Sequence, residues 1–244
     1  QLPAITIREE NGTACVVGKV DRVDGWLHDG KLYLRVVDYK TGKKSFDLAE
    51  LRYGLGLQML LYLFTLKEEG QMLFGGHEIV PAGVLYTPAR EPMLRCARDT
   101  EPEKIEKALK KELRRSGMVL EDPAVLQAME HSALESPCYL PIAVKRDGAV
   151  TGSLASAEQL GKLSKYVEHI LHEITQEVFA GNIDADPYAR TPQQSACTYC
   201  EFASACHFEN GCGSDRMEYI KATKNDEFWQ YIDEVNGEGA HENG

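Results

Sequence analysis

The 244-residue chain is 43% apolar and has a formal net charge of −11 at pH 7. A chain of this size can bury a sizeable core, so we expect one domain, or one domain with a small appendage. The negative charge argues against nonspecific nucleic-acid binding through bulk charge. The sequence shows neither an apolar run long enough to cross a membrane nor a signal-peptide pattern, so we expect a cytoplasmic protein. Because it opens in a predicted strand without an initiator Met, we also expect a piece of a longer polypeptide.

A β-hairpin is predicted near the start of the chain. β-rich runs at 15–27 and 31–40 are joined through Asp29-Gly30, a strong signal for a two-residue turn. This pairing places Asp21 opposite Asp38 on one face of the sheet.

Opposed carboxylates repel by about 4 kcal/mol at about 4 Å and an effective dielectric constant of about 20. A divalent cation such as Mg²⁺ would neutralise Asp21 and Asp38. Lys40 would then flank the metal where a phosphate and an attacking water sit. A solvent-facing hairpin end with incidental charges is the competing interpretation, and a register shift of one residue would flip one strand's side chains to the other face.

A helix is predicted from Asp47, which forms a capping-box pattern with Glu50, to about Lys67. Gly54 and Gly56 each lower helix stability by roughly 1 kcal/mol relative to Ala, which indicates a close approach to a strand or a ligand.

Within that helix, Gln58 and Tyr62 are four residues apart and share a face. Their surroundings are apolar, and a buried amide needs hydrogen-bond partners. Ordinary helix packing with a satisfied amide is the competing interpretation.

The remaining segments predict an α/β core at 1–180, a cysteine-rich segment at 181–212 and a tail at 213–244 whose last part we expect to be disordered. The predicted elements are a strand at 77–89 with a bulge or edge at Pro81, a weaker strand at 138–150, and an amphipathic helix from Ser156 to about Phe179. A helical insertion near 101–135 is predicted as two helices, 101–116 and 122–133, separated by "SGMVLED".

Seven cysteines without a secretory signal argue against a disulfide framework. Cys197, Cys200 and Cys206 form a C-x2-C-x5-C pattern that is typical of a soft-metal site. Zinc with His207 or Cys212 as the fourth ligand, and three buried cysteines without metal, both remain open.

Three motifs together resemble a known family. "GKVDRVD", "VVDYKTG" and "LGLQMLLYL" are similar to motifs II, III and Q-x-x-x-Y of the RecB-like branch of PD-(D/E)xK nucleases. Within this branch the likeness is closest to the B subunits of AddAB-type helicase–nucleases, which are ATP-dependent deoxyribonucleases. "SGMVLEDPAVLQAME" and the cysteine pattern extend the likeness over about residues 15–210.

The resemblance implies a restriction-endonuclease-like α/β fold: a mixed central sheet flanked by helices, followed by a cysteine-rich loop segment. It implies an Mg²⁺- or Mn²⁺-dependent exonuclease domain that processes double-strand DNA ends for recombinational repair. The implied partners are the single strand that emerges from an unwound duplex end and an AddA-like helicase–nuclease subunit.

Roles of individual residues follow from the resemblance as well. Asp21 and Asp38 would bind the metal together with the backbone carbonyl of Tyr39, and Lys40 would orient or activate the water. The metal would act as a Lewis acid on the phosphoryl oxygens.

Gln58 and Tyr62 would hold the DNA strand near the scissile phosphate. A further acidic or His ligand of the family lies on a helix before the first strand, and we expect this chain to begin too late to contain it. The fragment alone is therefore expected to be less active or inactive.

The resemblance further implies a [4Fe–4S] cluster on Cys197, Cys200 and Cys206, which would lock the C-terminal segment to a distant part of the full-length protein. The fourth cysteine of the family lies before the nuclease core. We therefore expect the cluster to be absent from this fragment or replaced by zinc.

Two other functions compete with the nuclease. A non-catalytic DNA-binding or scaffold module could keep the same fold, although it would not need the repulsive Asp21–Asp38 pair. A CRISPR-associated RecB-like exonuclease has a similar core and cluster, and "SGMVLEDP" favours the helicase–nuclease over it.

Overall fold

The structure is a computed structural model that describes residues 2–242, and the side chains of residues 2–237. The strands are β1 (Ile5–Glu9), β2 (Gly12–Val16), β3 (Arg22–His28), β4 (Lys31–Lys40), β5 (Glu78–Pro88), β6 (Ser116–Leu120), β7 (Ile142–Val144), β8 (Val150–Gly152), β9 (Leu154–Ala155), β10 (Tyr188–Thr191), β11 (Gln194–Ser195) and β12 (Glu218–Tyr219). The α-helices are α1 (Leu48–Arg52), α2 (Gln58–Glu69), α3 (Pro102–Glu112), α4 (Pro123–Met129), α5 (Ala157–Ala180), α6 (Ala203–Cys206) and α7 (Asn225–Glu242). None of the helices in the described part is long and apolar enough to cross a membrane.

The chain divides into two units that each interleave several segments. The first unit comprises Gln1–Thr6, Cys15–Phe46 and Gly56–Val167. The second comprises Ile7–Ala14, Asp47–Leu55 and Glu168–Gly244. All the predicted active-site residues belong to the first unit, whereas the cysteine pattern belongs to the second.

A five-stranded sheet of order β3-β4-β5-β6-β9 forms the first unit. The β3–β4 and β5–β6 pairs are antiparallel, and the β4–β5 and β6–β9 pairs are parallel. Helix α2 packs against β4 and β5, and α4 packs against β6, where Leu85, Val119 and Leu126 share a buried cluster. The predicted mixed sheet with flanking helices is confirmed.

The predicted hairpin and its register are confirmed. Asp29 and Gly30 have φ values of 49° and 78°, as a two-residue turn of type I′ requires. Pairing runs from His28–Lys31 to Arg22–Val37. The prediction of one strand over 15–27 is wrong, because β2 pairs with β1 in a separate two-stranded sheet and an irregular segment separates it from β3. There Gly18 lies against the Tyr62 ring so closely that a Cβ would come within 2.5 Å of Cε1.

The predicted continuous helix from Asp47 to Lys67 is also wrong. Asp47 does cap α1, since its carboxylate accepts a hydrogen bond from the Ala49 N–H. Gly54 and Gly56 then adopt φ values of 69° and 71°, which are incompatible with a right-handed helix. The chain therefore turns before α2 begins.

Two later segments differ from their predictions. The two helices predicted at 101–116 and 122–133 are present as α3 and α4. The segment "SGMVLED" predicted to separate them contains β6, whose Gly117 lies against the backbone of Val84. The predicted tail contains α7, which extends to Glu242. The buried side chains of Phe228 and Ile232 stabilise the first turns of this helix. Residues 243–244 lie outside the described part of the chain. The predicted bulge in β5 is confirmed, because its register with β4 shifts between Pro81 and Gly83.

We expect Gly117→Ala to lower the free energy of unfolding by more than about 2 kcal/mol. A Cβ at this position would lie 1.9 Å from the Val84 carbonyl oxygen, so β5 and β6 would have to separate. Gly161→Ala is the matched control, since nothing lies within 4 Å of the added Cβ in α5; it should increase stability by about 0.5–1 kcal/mol. Urea unfolding measures both, and equal effects would contradict the close packing of β6.

Candidate active site

Asp21 lies one residue before the β3–β4 ladder begins, at the end of the irregular segment. Its carboxylate Oδ2 accepts a hydrogen bond from the Tyr39 N–H at 3.3 Å. This contact brings the exposed Asp21 side chain to β4 between Asp38 and Lys40, although the ladder does not extend to an Asp21–Asp38 pair. That the two carboxylates face each other stays a prediction.

Asp38 is nearly buried at the end of β4, with 8% of the residue exposed. Its Oδ2 lies 2.7 Å from the Lys40 ammonium nitrogen. Among the described residues, this buried oxygen has no hydrogen-bond partner of good geometry. Because an unpaired buried carboxylate is costly, the ammonium of Lys40 is the charge that makes the burial of Asp38 tolerable.

Tyr86 completes the surroundings of Lys40. The parallel register of β4 and β5 pairs Asp38 with Tyr86, and the Lys40 ammonium lies 5.8 Å from the centroid of its ring, within the range of a cation–π contact. Sequence reasoning missed Tyr86, because the register of two parallel strands depends on the crossover between them and leaves no local signal.

Asp24, the second acidic residue of "GKVDRVD", has a different environment. Strand alternation places it on the opposite face from Asp38, where Arg22 and Arg35 contact its two carboxylate oxygens at 2.6 and 2.8 Å. Partial burial raises the pKa of Asp24, but the hydrogen bonds from Arg22 and Arg35 outweigh it and hold the pKa below its usual value. Asp24 is therefore engaged in an ion-pair network that stabilises the hairpin.

Gln58 and Tyr62 lie on the first turns of α2. The expectation of a buried amide is wrong, because Gln58 is exposed. Its amide N–H donates a hydrogen bond to the Tyr62 hydroxyl at 2.8 Å. The Tyr62 ring packs on Gly18, three residues before Asp21. The Q-x-x-x-Y motif thus lies beside the segment that carries Asp21, and its contact with a nucleic-acid strand stays a prediction.

Comparison with known protein families shows which family the chain belongs to. The model of the PD-(D/E)XK nuclease superfamily matches residues 5–207. The chain belongs to this superfamily.

Several curated proteins are similar to the chain over nearly its whole length. The B subunit of the ATP-dependent helicase/deoxyribonuclease of Thermoanaerobacter sp. (strain X514) is 32% identical over 97% of the chain. The proteins of the same name from Ruminiclostridium cellulolyticum and Clostridium botulinum (strain Hall) are 31% and 34% identical over 96% and 94% of it. The chain spans about a fifth of the length of these relatives (20–21%).

PD-(D/E)XK nucleases generally use divalent metals such as Mg²⁺, and the residues at the end of β4 fit such an ion. The described residues contain no group of three or more His, Cys, Asp or Glu that could hold a metal. Asp21, Asp38 and a backbone carbonyl offer oxygen ligands, which suit a hard cation that keeps several waters. The buried Oδ2 of Asp38 favours this fit, because among the described residues its only charged neighbour is the Lys40 ammonium at 2.7 Å and it accepts no hydrogen bond of good geometry.

The cysteines of the predicted metal site lie just before and within the short helix α6. Cys197 is half-buried, whereas Cys200, Cys206 and Cys212 are exposed, and all four are free thiols. No three of the described cysteines, histidines and acids are gathered into a metal site. The [4Fe–4S] or zinc site at Cys197, Cys200 and Cys206 stays a prediction.

We expect the purified chain to carry less than one [4Fe–4S] cluster, since only three closely spaced thiols are available at the predicted site. Metal binding by such loops is coupled to their folding, so the segment should respond to metal while the sheet does not. Iron, sulfide and zinc analysis is the measurement. About four iron and four sulfide per chain would contradict the expectation, and one zinc that is lost in Cys212→Ser would identify Cys212 as the fourth ligand.

Proposed function

We propose that this chain is the Mg²⁺-dependent deoxyribonuclease domain of a helicase–nuclease and that its active site is the end of β4. The ion pair between the nearly buried Asp38 and the partly exposed Lys40 is the observation that carries the proposal. A carboxylate and an ammonium held 2.7 Å apart are the groups that phosphodiester hydrolysis needs, one for a cation and one for the phosphate.

The proposed ligands of the metal are the carboxylates of Asp21 and Asp38 and the carbonyl of Tyr39. When bound, Mg²⁺ supplies Lewis acidity toward a phosphoryl oxygen and lowers the pKa of a coordinated water. The hydrogen bond from the Tyr39 N–H orients the Asp21 carboxylate.

Lys40 acts on the phosphate and the attacking water. Its ammonium is positioned by Asp38 on one side and by the Tyr86 ring on the other. An N–H of Lys40 can therefore donate a hydrogen bond to the attacking water or to a phosphoryl oxygen, and stabilise the charge that develops there. A group that is positioned in advance does not have to reorganise during the reaction.

In this proposal, Gln58 and Tyr62 position the DNA strand that is cleaved. Their mutual hydrogen bond holds the Tyr62 hydroxyl in place, and the packing of its ring on Gly18 couples it to the segment of Asp21.

The names of the relatives supply the wider setting. They are subunits of ATP-dependent helicase/deoxyribonucleases, so we propose that this chain cuts single-stranded DNA beside a helicase-bearing partner protein. In that setting the nuclease trims the strand that the helicase unwinds from a duplex end, as recombinational repair of broken DNA requires.

In the full-length protein that carries this chain, Lys40→Ala should lower kcat for Mg²⁺-dependent cleavage of single-stranded DNA by about 100-fold or more, because it removes a donor aimed at the reacting groups. Circular dichroism should show an unchanged fold. Lys31→Ala is the matched control, since it removes the same charge from the far end of β4, where Lys31 pairs with Glu78. Wild-type cleavage by Lys40→Ala would exclude Lys40 from the reaction.

Mg²⁺ should raise the thermal midpoint of the wild type and leave that of Asp38→Asn unchanged. A ligand at about 100 times its Kd stabilises the folded state by about 2.7 kcal/mol, and the substitution removes one of the two carboxylate ligands. Asp24→Asn is the control: it breaks the ion pairs with Arg22 and Arg35 and lowers the midpoint, but should keep the response to Mg²⁺. Equal responses of the wild type and Asp38→Asn would refute the metal site.

A further inference from the structure

A cavity of about 310 Å³ opens beside Lys40 in the first unit. Its walls are the loop after β4, the end of β5, and the last turn of α3 with the residues that follow. Six of its thirteen lining residues are basic, namely Lys40, Lys43, Lys44, Arg90, Lys111 and Arg114. Glu112 is the single acidic residue of the lining. We call this cavity the basic cleft.

Local hydrogen bonds fix the walls of the basic cleft. The Phe46 N–H donates to the Ser116 hydroxyl at 2.7 Å, which ties the loop after β4 to β6. The Ala89 N–H donates to the Lys40 carbonyl at 2.9 Å, which holds the ends of β4 and β5 together. The cations of the loop are therefore attached to a preformed surface.

Glu112 interacts with the cations of the basic cleft as an anionic ligand would. Its Oε2 lies 3.0 Å from an Arg90 nitrogen and 4.0 Å from the Lys43 ammonium. A carboxylate oxygen between two cations marks a place where an anionic oxygen is stabilised. The neighbouring Lys111 ammonium is exposed and has no ion-pair partner among the described side chains.

We propose that the basic cleft is a backbone-binding subsite that holds the phosphates flanking the cleaved one, and that Lys43 and Lys111 bind them while Glu112 weakens the binding. This inference rests on the proposed nuclease function, because Lys40 belongs both to the cleft and to the proposed active site. The ligand is the phosphate backbone of a nucleic-acid strand, since six of the thirteen lining residues are cationic and Tyr86 is the one aromatic residue among them.

The test measures binding of a short fluorescein-labelled oligothymidylate by anisotropy in EDTA, where metal-dependent cleavage cannot occur. Lys43→Ala and Lys111→Ala should each raise Kd about two- to fivefold and lower the salt slope of log K by about 0.7. Glu112→Gln should lower Kd by a similar factor, and misfolding cannot produce that tighter binding. The matched control is Lys110→Ala, which removes the same charge from α3 outside the cleft, where Lys110 pairs with Glu106; its Kd should stay unchanged.

Cleavage assays with Mg²⁺ separate this proposal from the nuclease proposal. Lys111→Ala should raise KM without lowering kcat, as loss of uniform binding does, whereas Lys40→Ala lowers kcat. These cleavage assays use the full-length protein that carries this chain, because the fragment alone is expected to be inactive. If the full-length wild type cleaves nothing but the binding pattern holds, the subsite stands and the nuclease proposal fails. The subsite is overturned if Lys111→Ala and Glu112→Gln shift Kd in the same direction, or if neither shifts it. It is also overturned if Lys110→Ala weakens binding as much as Lys111→Ala does. Binding of oligoglutamate as tight as that of the oligothymidylate would overturn it as well.

Discussion

The burial of one carboxylate is the constraint on which the rest of the site depends. Asp38 ends a strand whose preceding residues, including Val36 and Leu34, are buried core, so its carboxylate is drawn out of water with them. Several kcal/mol would be lost if this charge were unpaired. Lys40 follows two residues later, and strand alternation places both side chains on one face. The ion pair therefore results from the two-residue alternation of side chains along a β-strand. It holds the Lys40 ammonium at the edge where the sheet ends.

The parallel pairing of β4 and β5 explains why so many functional groups meet at this end. Parallel strands end at the same edge of a sheet, and a crossover must connect them. The residues that follow each strand, among them Lys43 and Arg90, therefore become neighbours in the basic cleft. The same crossover contains α2, so the connection that builds the sheet also carries Gln58 and Tyr62 to the segment that precedes the hairpin.

Local signals in the sequence determined how much could be predicted. The hairpin register could be read because a two-residue turn fixes every later pair, and the start of α5 could be read from the reciprocal hydrogen bonds of Ser156 and Gln159. Tyr86 and the strand β6 escaped prediction, because both depend on pairing between segments distant in the chain. The sequence shows that Gly54 and Gly56 lower the stability of a helix. It does not show their positive φ values, because these depend on how the surrounding chain packs in the folded protein.

The charge of the whole chain and the charge of the cleft act over different distances. At physiological ionic strength the Debye length is about 8 Å. Most of the net charge of −11 is therefore screened from a nucleic-acid strand that is bound among the cations of the basic cleft. The bulk charge instead disfavours binding of a nucleic-acid backbone elsewhere on the surface. We propose that the basic cleft beside Asp38 and Lys40 thereby directs a phosphate backbone to the proposed active site, which a uniformly basic surface would not do.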